Sequence, residues 1–289
     1  MEKHHEIILK LIYSGFSSQQ LHRFFRQYRT YHFNTNQFQF VLNNLFPSVN
    51  TKEKLERFNR ITIEEIHDNL INYHVKICFF DMPEYPQQLL EIYDYPFVLF
   101  YKGDISYVHK KTLAIVGSRE RTSYTVNVLE SFMPKFIKND IVIVSGLAKG
   151  TDSDAHLCAI HHHGKTIGVL GFGHGTHYPK ETHMLRQLME QTQLVISEYP
   201  PNAGVQKFRF PERNRIISGL SYGVFVTEAK ARSGSLITVD QAIDQNKNVY
   251  CLPGDILNPH SMGCNLRINE GAKMVLEVQD ILEDFNNLI

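Results

Sequence analysis

Residues 113–146 read LAIVGSRERTSYTVNVLESFMPKFIKNDIVIVSG. An apolar run over 113–116 is closed by Gly117. An amphipathic stretch follows over 124–136, and a second apolar run covers 141–144. This spells strand, loop, helix, strand. The pattern continues outward: further apolar runs lie at 166–170, 193–196, 224–226 and 248–251, with a late one near 274–276. Helical patterns over 153–161, 184–191, 216–221 and 236–245 fill the gaps. Continuous apolar strands alternating with helices predict an α/β fold whose mostly parallel sheet is covered by helices on both faces. Such sheets take ligands at the carboxyl ends of their strands.

Upstream, the texture changes twice. Residues 76–111 hold two short strand patterns and a turn-rich segment, a lead-in to the main domain of residues 76–289. Residues 1–75 read as a small helical domain. Ile7, Ile8, Leu11 and Ile12 form one stripe, and Gly15 stops that helix. Ser17 and Ser18 open the next, further helices are expected over 35–45 and 51–57, and Thr62 with Glu65 marks a capping box for a helix through Ile71. Protein or DNA contact is open to this domain, and so is a purely structural role.

The chain has 289 residues, 43% of them apolar and 21% charged, enough for a substantial core. Lys+Arg and Asp+Glu both number 30, so any basic site must be local. Cys78, Cys158, Cys251 and Cys264 form no CxxC pair, which predicts neither a zinc centre nor a disulfide framework and fits a reducing cytoplasm. No signal-peptide pattern opens the chain and no apolar run reaches membrane-spanning length, so a soluble cytoplasmic protein without membrane contact is expected.

Six loops at strand ends could carry chemistry. Gly117-Ser118-Arg119 offers a turn, a hydroxyl and a forked cation suited to phosphate. Ser145 to Asp152 brackets Lys149 between two glycines, and Asp152 stands four residues before His156. Gly171 to Gly175 is glycine-rich, yet Thr176 sits where a dinucleotide fingerprint needs glycine; Lys180 follows it. The segment Lys207 to Arg215 interleaves Phe208 and Phe210 with Lys207, Arg209, Arg213 and Arg215. Rings for base stacking beside cations for a backbone are what a single strand needs, although Arg213 and Arg215 can also point opposite ways. Ser233-Gly234-Ser235 at a helix start is a candidate anion nest or a plain cap, and Glu228 before it a candidate catalytic carboxylate. The turns around Gly254 and Gly271 are assigned structural roles.

Two patterns mislead. His161-His162-His163 looks like a metal tract, but consecutive residues diverge on a helix and no carboxylate cluster follows; no metal site is predicted. Gly164-Lys165-Thr166 looks like a P-loop end, but Ala159 replaces the required glycine.

With these residues laid out, the chain resembles the DNA-processing protein A (DprA/Smf) family. The matching pieces run in order: IVGSR (115–119), VSGLAKGTDSDAH (144–156), GKTIGVLGFG with YPK (164–180), ISEYPP (196–201), FPERNRIISGLS (210–221), EAKARSGSLIT (228–238), LPGD (252–255) and GCNLRINEGA (263–272). The segment 85–104 is similar to the family's approach to its first strand. The resemblance implies a Rossmann-like domain that binds single-stranded DNA without catalysis or cofactor. It implies a homodimer that loads the RecA recombinase onto incoming DNA in natural transformation. It carries the DNA-binding role onto Ser118, Arg119, Lys149, Lys180, Lys207, Phe210, Arg213 and Asn214. Thr151 departs from the family's isoleucine, and the loop after Gly173 departs from its Gly-Leu-Asp. The chain ends at Ile289, before the winged-helix domain of many members, so an added duplex role is not expected. The rival reading is a nucleotide-processing hydrolase on a Rossmann-like fold, with Glu228 as acid/base and Arg119 as phosphate clamp. A protein-binding hub working through residues 1–75 is a third.

Overall fold

The computed structural model describes residues 2–28, 42 and 44–286. Among the described residues the chain opens with the helices α1 (Lys3–Tyr13), α2 (Ser18–Tyr28), α3 (Val49–Arg60) and α4 (Ile63–Asn72). Their ends follow local chemistry. Gly15, at φ +93°, ends the first turn-off as a glycine can. The Gln20 N–H donates to Ser17 Oγ while the Ser17 N–H donates to Gln20 Oε1. Thr62 and Glu65 form the expected capping box. The helix expected over 35–45 falls almost wholly outside the described residues.

Among the described residues nine strands form one sheet in the order β1-β2-β6-β5-β4-β3-β7-β8-β9. They are β1 (Lys76–Phe79), β2 (Val98–Gly103), β3 (Thr112–Val116), β4 (Val142–Ser145), β5 (Thr166–Leu170), β6 (Leu194–Ser197), β7 (Gly223–Val226), β8 (Asn248–Cys251) and β9 (Lys273–Met274). From β6 to β9 across the sheet every pairing is parallel. β1 and β2 join that sheet at the β6 edge and run antiparallel, with Phe100 opposite Ser197. The lead-in strands are therefore the sheet's own edge.

The connecting helices are α5 (Ser123–Lys138), α6 (Thr151–His161), α7 (His183–Thr192), α8 (Arg209–Leu220), α9 (Ser235–Asp244), α10 (Met262–Asn269) and α11 (Gln279–Asn286). Period-two alternation splits the apolar strands between two cores. Leu113, Ile115, Ile143 and Phe225 face Leu129, Met133, Phe136, Ala159 and Ile281. Ala114, Val116, Val144 and Val226 face Ile216, Ile217, Leu220 and Val239. A third core unites Ile8, Leu9, Leu21, Ile66 and Leu70 with Phe79, Val98 and Phe100, so apolar packing runs unbroken from the N-terminal helices into β1 and β2. Among the described residues no helix is long and apolar enough to cross a membrane.

Two features position the site. The chain winds from β3 outward to β6, then returns to lay β7 on the other side of β3. The loops leaving β3 and β7 thus part at a topological switch point, where α/β sheets open a crevice. Second, α8 starts at Arg209, not near Ile216. Pro211 sits in its first turn, where a missing N–H costs nothing.

The glycine-rich segment 171–175 is packed, not open. The Gly173 and Gly175 N–H groups donate to Ala203 O and Pro201 O, at 2.8 and 2.7 Å. Beneath it, Glu190 gathers His174 (3.3 Å), Arg186 (3.0 Å) and Lys102 (3.2 Å). Burial alone would raise the Glu190 pKa; the His174 bond and the Arg186, His174 and Lys102 charges outweigh it and hold it at about 2. A carboxylate depressed in the folded state adds stability above its unfolded pKa and loses it as pH falls toward the folded value. Stability measured by urea unfolding should therefore drop as pH falls from about 4.5 to about 2, by on the order of 2–3 kcal/mol from this group. In Glu190→Gln that part of the drop should disappear.

Candidate functional site

At the switch point a cleft of about 380 Å³ opens between the loops after β3, β4 and β7 and the start of α8. Ser118, Arg119, Phe210, Arg213, Asn214, Ser233, Gly234 and Ser235 all line it, drawn from segments that only the fold brings together. The approach of the loops leaves no room at Gly117, where a Cβ would lie 2.5 Å from Thr151 Oγ1 and 2.7 Å from Thr227 Oγ1. The Thr151 N–H and hydroxyl both donate to Ser118 O, at 3.1 and 3.2 Å. This ties the β3 loop to the start of α6. The Ser118 hydroxyl accepts from the Glu120 N–H at 3.0 Å. The turn so fixed carries Arg119 out to solvent.

Arg213 behaves differently. It is 5% exposed, with Nη1 donating to Gly146 O at 2.5 Å and Val169 O at 2.6 Å, and Nε to Asn214 Oδ1 at 3.1 Å. It is a cross-link from α8 to the ends of β4 and β5, forming the cleft's inner wall. Gly146 exists for it: a Cβ there would stand 2.1 Å from Nη1. Asp152 accepts from the Gly146 and Ala148 N–H groups and balances the charge. Burial, aided by repulsion from Arg119, lowers the Arg213 pKa to about 10, which leaves it protonated at neutral pH. Burial raises the Asp152 pKa. Two residues further along the helix, Arg215 faces the opposite way. It grips both Glu198 oxygens at 2.8 Å and is buried from the cleft. Two helical residues apart means about 200° of rotation, so one segment cannot present both cations to one ligand.

Arg119, Lys149, Lys180, Lys207 and Arg232 are all exposed, with no hydrogen bond or ion pair to any described residue. Arg119 and Arg232 line the cleft; Lys149, Lys180 and Lys207 lie outside its wall. Arg232 was not singled out from sequence, nor was Lys230, which lines the cleft and pairs with Glu120 at 2.7 Å. The K-x-R run ahead of Ser233 was the available signal. Phe210 is half-buried against Tyr178 and Phe172, with ring centroids at 5.8 and 6.4 Å. Phe208 is 59% exposed and is the freer ring.

The Ser233 loop largely satisfies itself. The Leu236 and Ile237 N–H groups donate to Ser233 O and Gly234 O, and the two serine hydroxyls lie 2.8 Å apart. What it turns toward the cleft is the positive end of α9. Glu228 is 1% exposed and lies outside the cleft lining. Its oxygens accept from the Thr122 N–H (2.8 Å), Thr122 Oγ1 (2.9 Å) and Thr125 Oγ1 (2.8 Å), so it fastens the N-terminus of α5 to β7. His156 is buried on Thr166 Oγ1 at 2.6 Å, with burial and Arg213 pushing its pKa down to about 3. Asp152 and His156 therefore form no pair facing the cleft. The candidate metal-ligating clusters among the described residues lie elsewhere.

A family model described as DNA recombination-mediator protein A matches residues 76–286. The DNA processing protein DprA of Streptococcus pneumoniae is 46% identical over 201 residues, covering 70% of this chain and 71% of that protein. An X-ray structure of DprA from Streptococcus pneumoniae superposes with a TM-score of 0.85 at 37% identity, covering 95% of each chain. DNA processing protein A from Helicobacter pylori, solved for its single-stranded DNA binding mode, superposes with a TM-score of 0.66 at 26% identity, covering 74% of this chain and 97% of its own.

The contrast between Glu228 and Arg119 is measurable. Glu228→Ala strands three donors, the buried Thr125 hydroxyl among them, and should cost roughly 2–3 kcal/mol in urea unfolding. Arg119→Ala should stay within roughly 0.5 kcal/mol of the parent.

Proposed function

Because the chain belongs to the DNA recombination-mediator protein A family, we propose that it binds single-stranded DNA along the mouth of the switch-point cleft and delivers the strand to a RecA-type recombinase, acting in the cytoplasm on DNA taken up in natural transformation. The observation that carries this reading is the set of partnerless cations, Arg119 and Arg232 in the cleft with Lys149 and Lys207 nearby, beside the rings of Phe208 and Phe210.

In this mechanism nothing is cleaved or transferred. Arg119 and Arg232 hold phosphates by charge-assisted bonds, and the start of α9 adds backbone dipoles beneath the same anions. Lys149, Lys180 and Lys207 continue the positive track outside the cleft, while Phe210 and Phe208 stack bases without reading their identity. Arg213 and Asn214 serve by holding α8 against the sheet so that Phe210 stays at the cleft wall. A non-catalytic role is supported by the engagement of Glu228, Asp152 and His156 in internal hydrogen bonds. The hydrolase reading asks Glu228 to reach a ligand from outside the cleft lining.

A homodimer is supported by apolar side chains turned to solvent beyond β8. Ile256 and Leu257 in the loop, then Met262 and Leu266 on α10, are all exposed. Such a string favours burial against a second surface.

Binding to single-stranded and duplex oligonucleotides, titrated over salt concentration, tests the core claim. The single strand should bind more tightly, with a steep salt slope. Arg119→Ala and Lys207→Ala should each weaken binding several-fold and reduce the slope by roughly 0.7 per lost phosphate contact. Unchanged affinity in both variants would place the strand elsewhere. Turnover of a nucleotide panel by the purified chain would favour the hydrolase instead. For the dimer, Leu257→Glu should shift the sedimentation coefficient toward a monomer without loss of fold.

A further inference from the structure

We infer that Glu130, Cys158 and His162 form a binding site for a divalent transition-metal ion of the Zn²⁺ type, on the face of α5 and α6 away from the cleft. Cys158 and His162 stand four residues apart at the C-terminal turn of α6, so their side chains share one helical face. Glu130 comes from the middle of α5, which packs alongside. The His162 Nε2 and Glu130 Oε2 atoms are 3.1 Å apart, and the thiol, imidazole and carboxylate ligand atoms all lie within 4.8 Å of one another.

The donor set selects the ion. One thiolate, one imidazole and one carboxylate suit a borderline-soft cation that accepts four ligands in a tetrahedron, at about 2.0–2.3 Å each. Ligand atoms around such an ion stand about 3.3–3.8 Å apart, and these three are already gathered within 4.8 Å of one another. The helix end assists, because the carbonyls at the C-terminus of α6 favour positive charge. A cavity of about 310 Å³ lined by Leu129, Glu130, Asp154, Leu157, Cys158 and His161 opens beside the thiol and leaves room for a water as fourth ligand. On binding, the Cys158 S–H proton passes to solvent as the Sγ–metal bond forms.

From sequence alone a metal is not expected here, because His161, His162 and His163 diverge on the helix and no carboxylate cluster follows them closely. Both points hold along the chain and fail in space. The tract contributes a single ligand, and the carboxylate arrives from a helix 32 residues upstream. A second cluster, His4, His5 and Asp81, also gathers ligand atoms but contains no sulfur. That difference makes the experiment specific.

The full-length chain, stripped with a chelator, is titrated with Zn²⁺ against a chromophoric competitor and, separately, with Co²⁺ followed by absorption. About one tight equivalent of Zn²⁺ is expected, together with a thiolate-to-cobalt charge-transfer band. Cys158→Ser should abolish the band and weaken Zn²⁺ binding by about 100-fold, and His162→Ala by at least about tenfold. The double variant His161→Ala/His163→Ala should keep both the band and the affinity. Circular dichroism reports the fold of each variant. If Cys158→Ser does not fold, Glu130→Gln and His162→Ala decide by shifting the band and weakening Zn²⁺ binding. The inference is overturned by a cobalt spectrum without a sulfur band, by a band that survives Cys158→Ser, or by affinity that follows His161 and His163.

Discussion

One buried cation holds the cleft in shape. Arg213 reaches from α8 to the carbonyls at the ends of β4 and β5, and its charge is met by Asp152 at the start of α6. Removing either partner of such a pair leaves an uncompensated charge in the interior, which costs far more than an exposed contact. The rest follows from this tie. With α8 pinned to the sheet edge, Phe210 must rest against Phe172 and Tyr178, and Arg215 must turn away to Glu198. The guanidinium plane needs the space that a glycine at 146 provides. Arginine is required because a lysine ammonium cannot bond two carbonyls and an amide in fixed directions.

The sheet was legible because its central strands are buried on both faces. A run such as Leu113 to Val116 has no polar side to confuse its reading, and all five residues of β3 are buried. The antiparallel edge was not legible. β2 pairs with β6 through a contact nearly a hundred positions distant in the chain, and no local pattern encodes that partner. The start of α8 was missed for a different reason. Pro211 and four charged residues mask a helical period whose apolar face begins only at Ile216.

The site divides along the same line. Arg119 was legible because a Gly-Ser-Arg turn directly after a buried strand has nowhere to go but outward. Arg213 and Asn214 line the cleft, and Arg213 spends its donors on Gly146 O and Val169 O, a direction that sequence spacing gives only once a helix is known to exist. Ser233, Gly234 and Ser235 line the cleft, yet their backbone groups are mostly spoken for within the turn. Arg232 was overlooked because exposed cations are common, and only the return of β7 beside β3 sets this one opposite Arg119.

That return of the chain also fixes an order in time. Leu113 pairs with Gly223, about 110 residues later, and closing a loop of that length is slow compared with the local windings from β3 to β6. A chain emerging from its N-terminus can assemble β3 to β6 while β7 is still unmade, since each neighbouring pair is already available. The two walls of the cleft cannot meet until residues through Thr238 have emerged. A nascent chain therefore carries its exposed arginine at position 119 for a long interval with no opposite wall. The cleft exists as a two-walled crevice only once the sheet is complete.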